Sequence, residues 1–324
     1  MTRSRSTSTS ADRRTAASLL VALAICGAAA EVRAQACCVA AGLTTPARLR
    51  RDERVAVGLQ TRVRTVVGAF GADGSYTTSE SGSRELGGGE DLLAAVRLGA
   101  RAQIALQVPF VQTARRVGTP GGAPLSSWGG GLGDVAASAR WEPLLPDERG
   151  LGWPGLALLA TVSAPTGRPP EQATDALATS ATGTGSWRGE LGVALEAVIR
   201  RTFLTATLSI AQRTARTVGQ APTVVHQSFA PQLTASLVGG YALTGGSTVG
   251  AFVLATRQGN ARDDDGAIAG STVALVTAGF AASVPFAEGW RLQAALAGDL
   301  PVDGLGRNQT AGLALTAALV RAWP

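Results

Sequence analysis

The 324-residue chain contains no lysine: all 29 basic residues are arginine, set against 23 acidic residues and a single histidine, His226. With one histidine and only three cysteines (Cys26, Cys37, Cys38), a histidine-based metal site is excluded and the cysteines lack a second pair to close one. No metal or cofactor is therefore expected. Charged residues make up 16% of the chain, against about 25% in an average soluble domain. Aromatics are scarce at 5%. The arginines are scattered rather than gathered on a basic, aromatic-interleaved face, so nucleic acid is not an expected partner. Long hydrophobic runs are also missing: no stretch in the body of the chain approaches the ~20 apolar residues of a spanning helix. What the chain does have is 45% apolar residues and 41 glycines. High hydropathy without a spanning helix points to a membrane barrel, whose signal per segment is weak.

The N-terminus reads as an export signal. Arg13-Arg14 precede the apolar run TAASLLVALAICGAAA, and Ala34-Gln35-Ala36 supplies an A-x-A cleavage site, with Ala28-Ala29-Ala30 as the alternative. Thr-Ala-Ala follows the arginine pair where a twin-arginine signal carries bulky apolar residues, which favours Sec export. The expected organisation is a signal peptide (1–36), a short periplasmic segment (37–52) and a barrel (53–324). Residues 1–36 hold five arginines and two acids, so the mature chain carries 24 basic and 21 acidic residues. Cys37 and Cys38 would lie at the mature N-terminus. Lipidation, metal binding and a strained vicinal bridge all lack supporting residues, and a short tail with thiols is the plainer reading. So short a segment also disfavours a TonB-type receptor with a plug domain.

From Glu53 onward, apolar and polar residues alternate with the period of a strand. Twelve such segments can be read: 53–65, 91–99, 100–113, 134–142, 155–164, 187–200, 202–212, 228–243, 248–257, 271–284, 290–298 and 310–323. Most match the ~9–11 residues of a tilted transmembrane strand. Their connections alternate between short turns (Gly99-Ala100, Arg200-Arg201, 244–247, 285–289, and a longer member at 143–154) and long polar loops (68–90, 114–131, 165–186, 214–226, 258–266 and 299–309). Trp141, Trp153, Tyr241, Trp290 and Trp323 fall by one set of strand ends, and Phe110, Trp187 and Phe229 by the other, as in an aromatic girdle. The fold class expected is all-β: a transmembrane, antiparallel, up-and-down barrel of about twelve strands in the outer membrane. Both termini would be periplasmic and the long loops extracellular. Trp323, with Leu313, Leu315 and Leu319 on the same strand, suits a signal read by the barrel-assembly machinery.

In such a barrel the apolar face of each strand meets outer-membrane lipid and the polar face lines the interior. The lining candidates are Arg62, Arg64, Arg97, Arg101, Gln103, Gln107, Arg140, Glu142, Arg188, Glu190, Glu196 and Gln232. They describe either a polar passage for small solutes or a ladder of ion pairs that braces a narrow barrel, since charges out of bulk water are usually paired. Several motifs carry no chemistry. Gly131-Leu132-Gly133-Asp134-Val135-Ala136 fits the dinucleotide fingerprint, but a strand follows it where a helix is needed. His226 with Ser228 would make a hydrolase pair, but no nucleophile motif surrounds them. Asp263-Asp264-Asp265 lacks the spacing of a calcium loop. No catalytic residue is expected.

The runs GGGLGDVAASARWEPL (129–144), VSAPTG (162–167), ELGVALEAV (190–198) and ARLRRDERVAVGL (47–59) resemble the outer-membrane barrel family described as a transporter of the MetA pathway of phenol degradation. The resemblance spans most of the mature chain and implies a barrel that passes small organic molecules. It brings no catalytic residues. Gly131, Gly133 and Asp134 match the family's most recognisable motif, read here as a loop-to-strand corner. The function expected is passive or facilitated diffusion of small, organic or aromatic, solutes. The alternatives are a closed surface barrel acting through its loops and an outer-membrane hydrolase.

Overall fold

A computed structural model describes residues 48–118, 122–146, 148, 153–219 and 224–324. The signal peptide, the Cys37-Cys38 pair and most of the 37–52 segment lie outside them. The described chain forms a closed, antiparallel, twelve-stranded β-barrel. Its strands are β1 (Val55–Phe70), β2 (Arg84–Leu98), β3 (Ala102–Val117), β4 (Leu125–Leu132 and Ala136–Leu144), β5 (Gly155–Ser163), β6 (Arg188–Ile199), β7 (Thr202–Arg213), β8 (Gln232–Ala242), β9 (Thr248–Gln258), β10 (Val273–Ala287), β11 (Trp290–Asp299) and β12 (Gln309–Trp323). Each pairs with its sequence neighbours, and β12 returns to pair with β1 from Val55↔Trp323 to Phe70↔Gln309. Closure leaves no unpaired edge, the condition for a sheet to sit in hydrocarbon.

All twelve expected segments are strands, including 91–99 and 248–257, whose alternation is weakest. Several run further than expected. β1 has 16 residues, about 53 Å of strand at ~3.3 Å per residue; tilted by about 40°, that spans roughly 40 Å, more than the ~25 Å apolar band. The walls therefore project past the membrane at the long-loop end. β2 begins at Arg84 through Gly87-Gly88-Gly89, and Leu125–Leu132, inside the expected 114–131 loop, pairs with the outer half of β3. Phe110 is consequently not at the end of β3, which continues to Val117.

The alternation is realised as an outer apolar face and an inner polar or small one. On β1, Val57, Leu59 and Val63 are exposed while Ala56 and Gln60 are buried. The same pattern sets Ile104 and Leu106 against Gln103 and Ala105 on β3, and Leu208 and Ile210 against Ser209 and Ala211 on β7. In water such a surface would be untenable; in lipid it is the stabilising one. Trp141, Trp153, Tyr241 and Trp323 are exposed near the short-turn end, with Trp128 and Trp187 near the other. Inside, Phe203 is buried and its ring lies where a Cβ on Gly240 would stand. The glycine at 240 is what leaves room for the ring.

Candidate functional site: the two ends of the barrel interior

The interior is narrowed at both ends by chain that is not part of the wall. At the short-turn end, residues 48–54, which join the 37–52 segment to the first strand, lie against the inner wall. Leu49 is buried against the inward residues Ala56, Ala95, Ala105, Ala318, Val320 and Ala322 of β1, β2, β3 and β12. Its amide donates to Gln103 Oε1 at 3.2 Å. Arg97 holds the backbone of this strap, donating to the carbonyls of Leu49 (3.1 Å), Arg50 (2.8 Å) and Glu53 (3.0 Å). Arg48 crosses to the far wall, 2.5 Å from Glu196 on β6 and 3.5 Å from Glu142 on β4. Glu53 pairs with Arg291 of β11.

Arg140, Glu142 and Glu196 form the wall side of this contact: Arg140 lies 2.8 Å from each carboxylate. With Arg48, two cations meet two anions, all almost completely buried. Such a group tolerates burial because every charge has a partner.

Higher in the barrel, Arg62 pairs with Asp91 of the neighbouring β2 at 2.9 Å, where Gln60 also donates. Arg64 reaches past β12 to Asp299 of β11 at 3.0 Å. Arg188 and Glu190 pair along β6 at 2.7 Å. Gln107 and Gln232 are half-buried on the inward face. Arg101 is not on the wall of the interior: it sits at the β2–β3 turn, bound to Pro143 O and to Glu148 of the β4–β5 connection.

At the long-loop end the β5–β6 loop folds in against the inner face of β3 and β4. Ser127 contacts Asp175 (3.1 Å) and Thr179 (2.9 Å), and Arg115 donates to Leu177 O. Asp175 organises the loop by accepting from the amides of Thr179 and Ser180, both at 2.8 Å. The Ser180 hydroxyl, followed by the Thr179 amide, holds its carboxyl well below the usual carboxylate range. The loop is anchored a second time where β4 breaks at 133–135. There Asp134 accepts from Gly167 N (3.0 Å), Thr184 N (2.8 Å) and Thr184 Oγ1 (2.8 Å). Gly133-Asp134 is thus a corner, and its aspartate ties down the loop that narrows the barrel.

The sequence reading did not single out Arg48, Glu53, Asp91, Asp134, Asp175, Arg291 or Asp299 as functional. Asp91 and Asp299 share the inward parity of Arg97 and Arg291 on their own strands, a signal that could have found them. Arg48, Glu53 and Asp175 lie off the strands and carry no such signal. Phe229, expected in a girdle, is half-buried with Arg213 and Arg216 over its ring, 5.6 and 5.7 Å from the centroid. His226 lies in a short hairpin, its Nδ1 opposite Thr217 Oγ1 at 3.3 Å, while Asp264 takes the His226 backbone amide rather than the ring.

No family model matches the chain, and no curated protein matches it significantly. Solved structures do. The COG4313 outer membrane channel from Pseudomonas putida F1 aligns with a TM-score of 0.68 at 18% identity, covering 86% of this chain and 100% of that one. The NanC porin (TM-score 0.47, 8% identity, 83% and 100% covered) and a ΔS2S3 mutant of the monoaromatic hydrocarbon channel TodX (0.42, 12%, 87% and 94%) are looser likenesses. At these identities the finding concerns the fold: the chain is a closed β-barrel built like that of a solved outer membrane channel.

Proposed function

We propose that this protein is an outer-membrane channel that passes small solutes by passive or facilitated diffusion, with the strap at 48–54 narrowing its periplasmic end. The observation that carries this reading is how the interior is filled. The wall presents polar and small side chains, and the obstruction is a short segment held by hydrogen bonds and ion pairs, with the one side chain of Leu49 packed among small apolar residues of the wall. The fold shared with a solved outer membrane channel supports it. The long-loop end is extracellular in this reading. The finer assignment, to organic or aromatic solutes, rests on the motif resemblance at 129–144, 162–167 and 190–198. Insertion by the barrel-assembly machinery belongs to the same proposal, with Leu313, Leu315, Leu319 and Trp323 exposed along the outer face of β12.

The test is single-channel conductance of the purified, folded protein in a planar bilayer, at two salt concentrations and with anion and cation substitution. Discrete steps are expected. The second reading, a closed barrel acting through its loops, is favoured by the buried Leu49 and the paired Arg48–Glu196 contact. Silence from folded protein would establish it instead.

A further inference from the structure

Three arginines meet at the inner, extracellular end of β6 and β7. Arg188 and Arg213 are directly opposite one another in the β6–β7 register, on the inward face. Like charges in that position repel, so the arrangement costs stability unless something offsets it. Arg216, in the hairpin above β7, joins them by sharing the Phe229 ring with Arg213. Two of the three are pinned. Arg188 pairs with Glu190 at 2.7 Å. Arg216 lies 3.4 Å from Glu171 and donates to Thr184 O and to Gln227 Oε1.

Arg213 is different. Among the described residues its guanidinium has no ion pair and no hydrogen bond; its Nε is buried without a partner, and its Cζ lies over the Phe229 ring. Asp134, the carboxylate that acts on it through space, spends its oxygens on Gly167 and Thr184. Stacking on a ring occupies the face of a guanidinium and leaves the N–H donors in its plane free. Among the described residues the Arg213 donors are therefore unspent, between two fixed cations.

We infer that Arg213, flanked by Arg188 and Arg216, is an anion-capture site at the inner extracellular mouth, taking small organic carboxylates. A planar carboxylate matches the guanidinium fork and would supply the negative charge that Arg213 lacks. The cluster faces the interior, so headgroups of the surrounding bilayer do not reach it. This deepens the channel reading by naming a solute class, and it rests on that reading for its role though not for binding itself.

The test is equilibrium binding of benzoate to the folded full-length protein in detergent micelles, by titration calorimetry, with benzyl alcohol as the uncharged counterpart and inorganic phosphate as a second oxyanion. Benzoate should bind and benzyl alcohol should not. Arg213→Gln should weaken benzoate by about tenfold, the loss of one hydrogen bond to a charged group. Arg213→Lys, which keeps the charge but not the fork, should fall between. Folding of each variant is checked by its migration before and after heating. Equal affinity in the wild type and R213Q overturns the site, as does equal binding of benzyl alcohol. Phosphate binding without benzoate overturns the organic class. Benzoate binding by a protein that conducts nothing would refute the channel and keep the site; conductance without binding would do the reverse.

Discussion

Replacing Arg48 by alanine should loosen the strap without unfolding the wall. The guanidinium contacts Glu196 at 2.5 Å and Glu142 at 3.5 Å, yet both carboxylates keep Arg140 at 2.8 Å when Arg48 is gone. A hydrogen bond to a charged partner contributes about 1.5–3 kcal/mol, which corresponds to a shift of about 10- to 150-fold in the ratio of undocked to docked strap. Arg97 and Glu53 still hold the segment, so the strap should visit an undocked state more often rather than leave altogether. In planar-bilayer recordings, R48A should show larger or longer openings than the wild type at the same voltage and salt. Recordings of R48A indistinguishable from those of a conducting wild type would refute the idea that this contact limits the passage.

The face assignment is open to a paired test. Leu237→Arg places a charge on the lipid side of β8 and should cost about 2–4 kcal/mol near the bilayer midplane, whereas Ser236→Arg, one residue earlier and inward, should cost far less. Denaturant unfolding in lipid vesicles compares them, and equal costs would contradict the orientation. Asp134→Ala removes the acceptor for Gly167 and Thr184 and should make the β5–β6 loop several-fold more susceptible to protease, with cuts mapped by mass spectrometry to 164–187. Asp175 has a folded-state pKa depressed below the ordinary carboxylate value. Its contribution to the loop is therefore complete above pH ~4, and it is lost only as pH falls through the lowered value. Amide exchange at Thr179 and Ser180 should stay protected from pH 5 to pH 3; deprotection with a midpoint near 4 would contradict this.

How far the fold could be read ahead varied along the chain for reasons that particular residues show. On β7, Leu204, Leu208 and Ile210 alternate with Thr205, Thr207 and Ser209, because one side meets hydrocarbon and the other does not. The membrane enforces the pattern residue by residue, so it is visible without a structure. The beginning of β2 escaped for the opposite reason. Gly87, Gly88 and Gly89 have no side chains to alternate, and the wall there stands above the apolar band, where neither face is selected for lipid. The upper part of β4 is hidden in the same way by Gly129 to Gly131.

The sequence alone determined the architecture: twelve alternating segments, short turns at one end, long loops at the other, and the parity that turns Gln103, Arg140 and Glu196 inward. Those features are local, since a period of two and a run of turn residues are set by neighbours in the chain. Only the tertiary structure decided what the inward residues do. Glu196 meets Arg48 across 148 positions of sequence, Arg64 finds Asp299 across 235, and Arg213 is left, among the described residues, without a carboxylate partner beside Arg188. Closure of the barrel brings these side chains together, and the strand pattern constrains the face a residue takes but not the partner it meets across the interior.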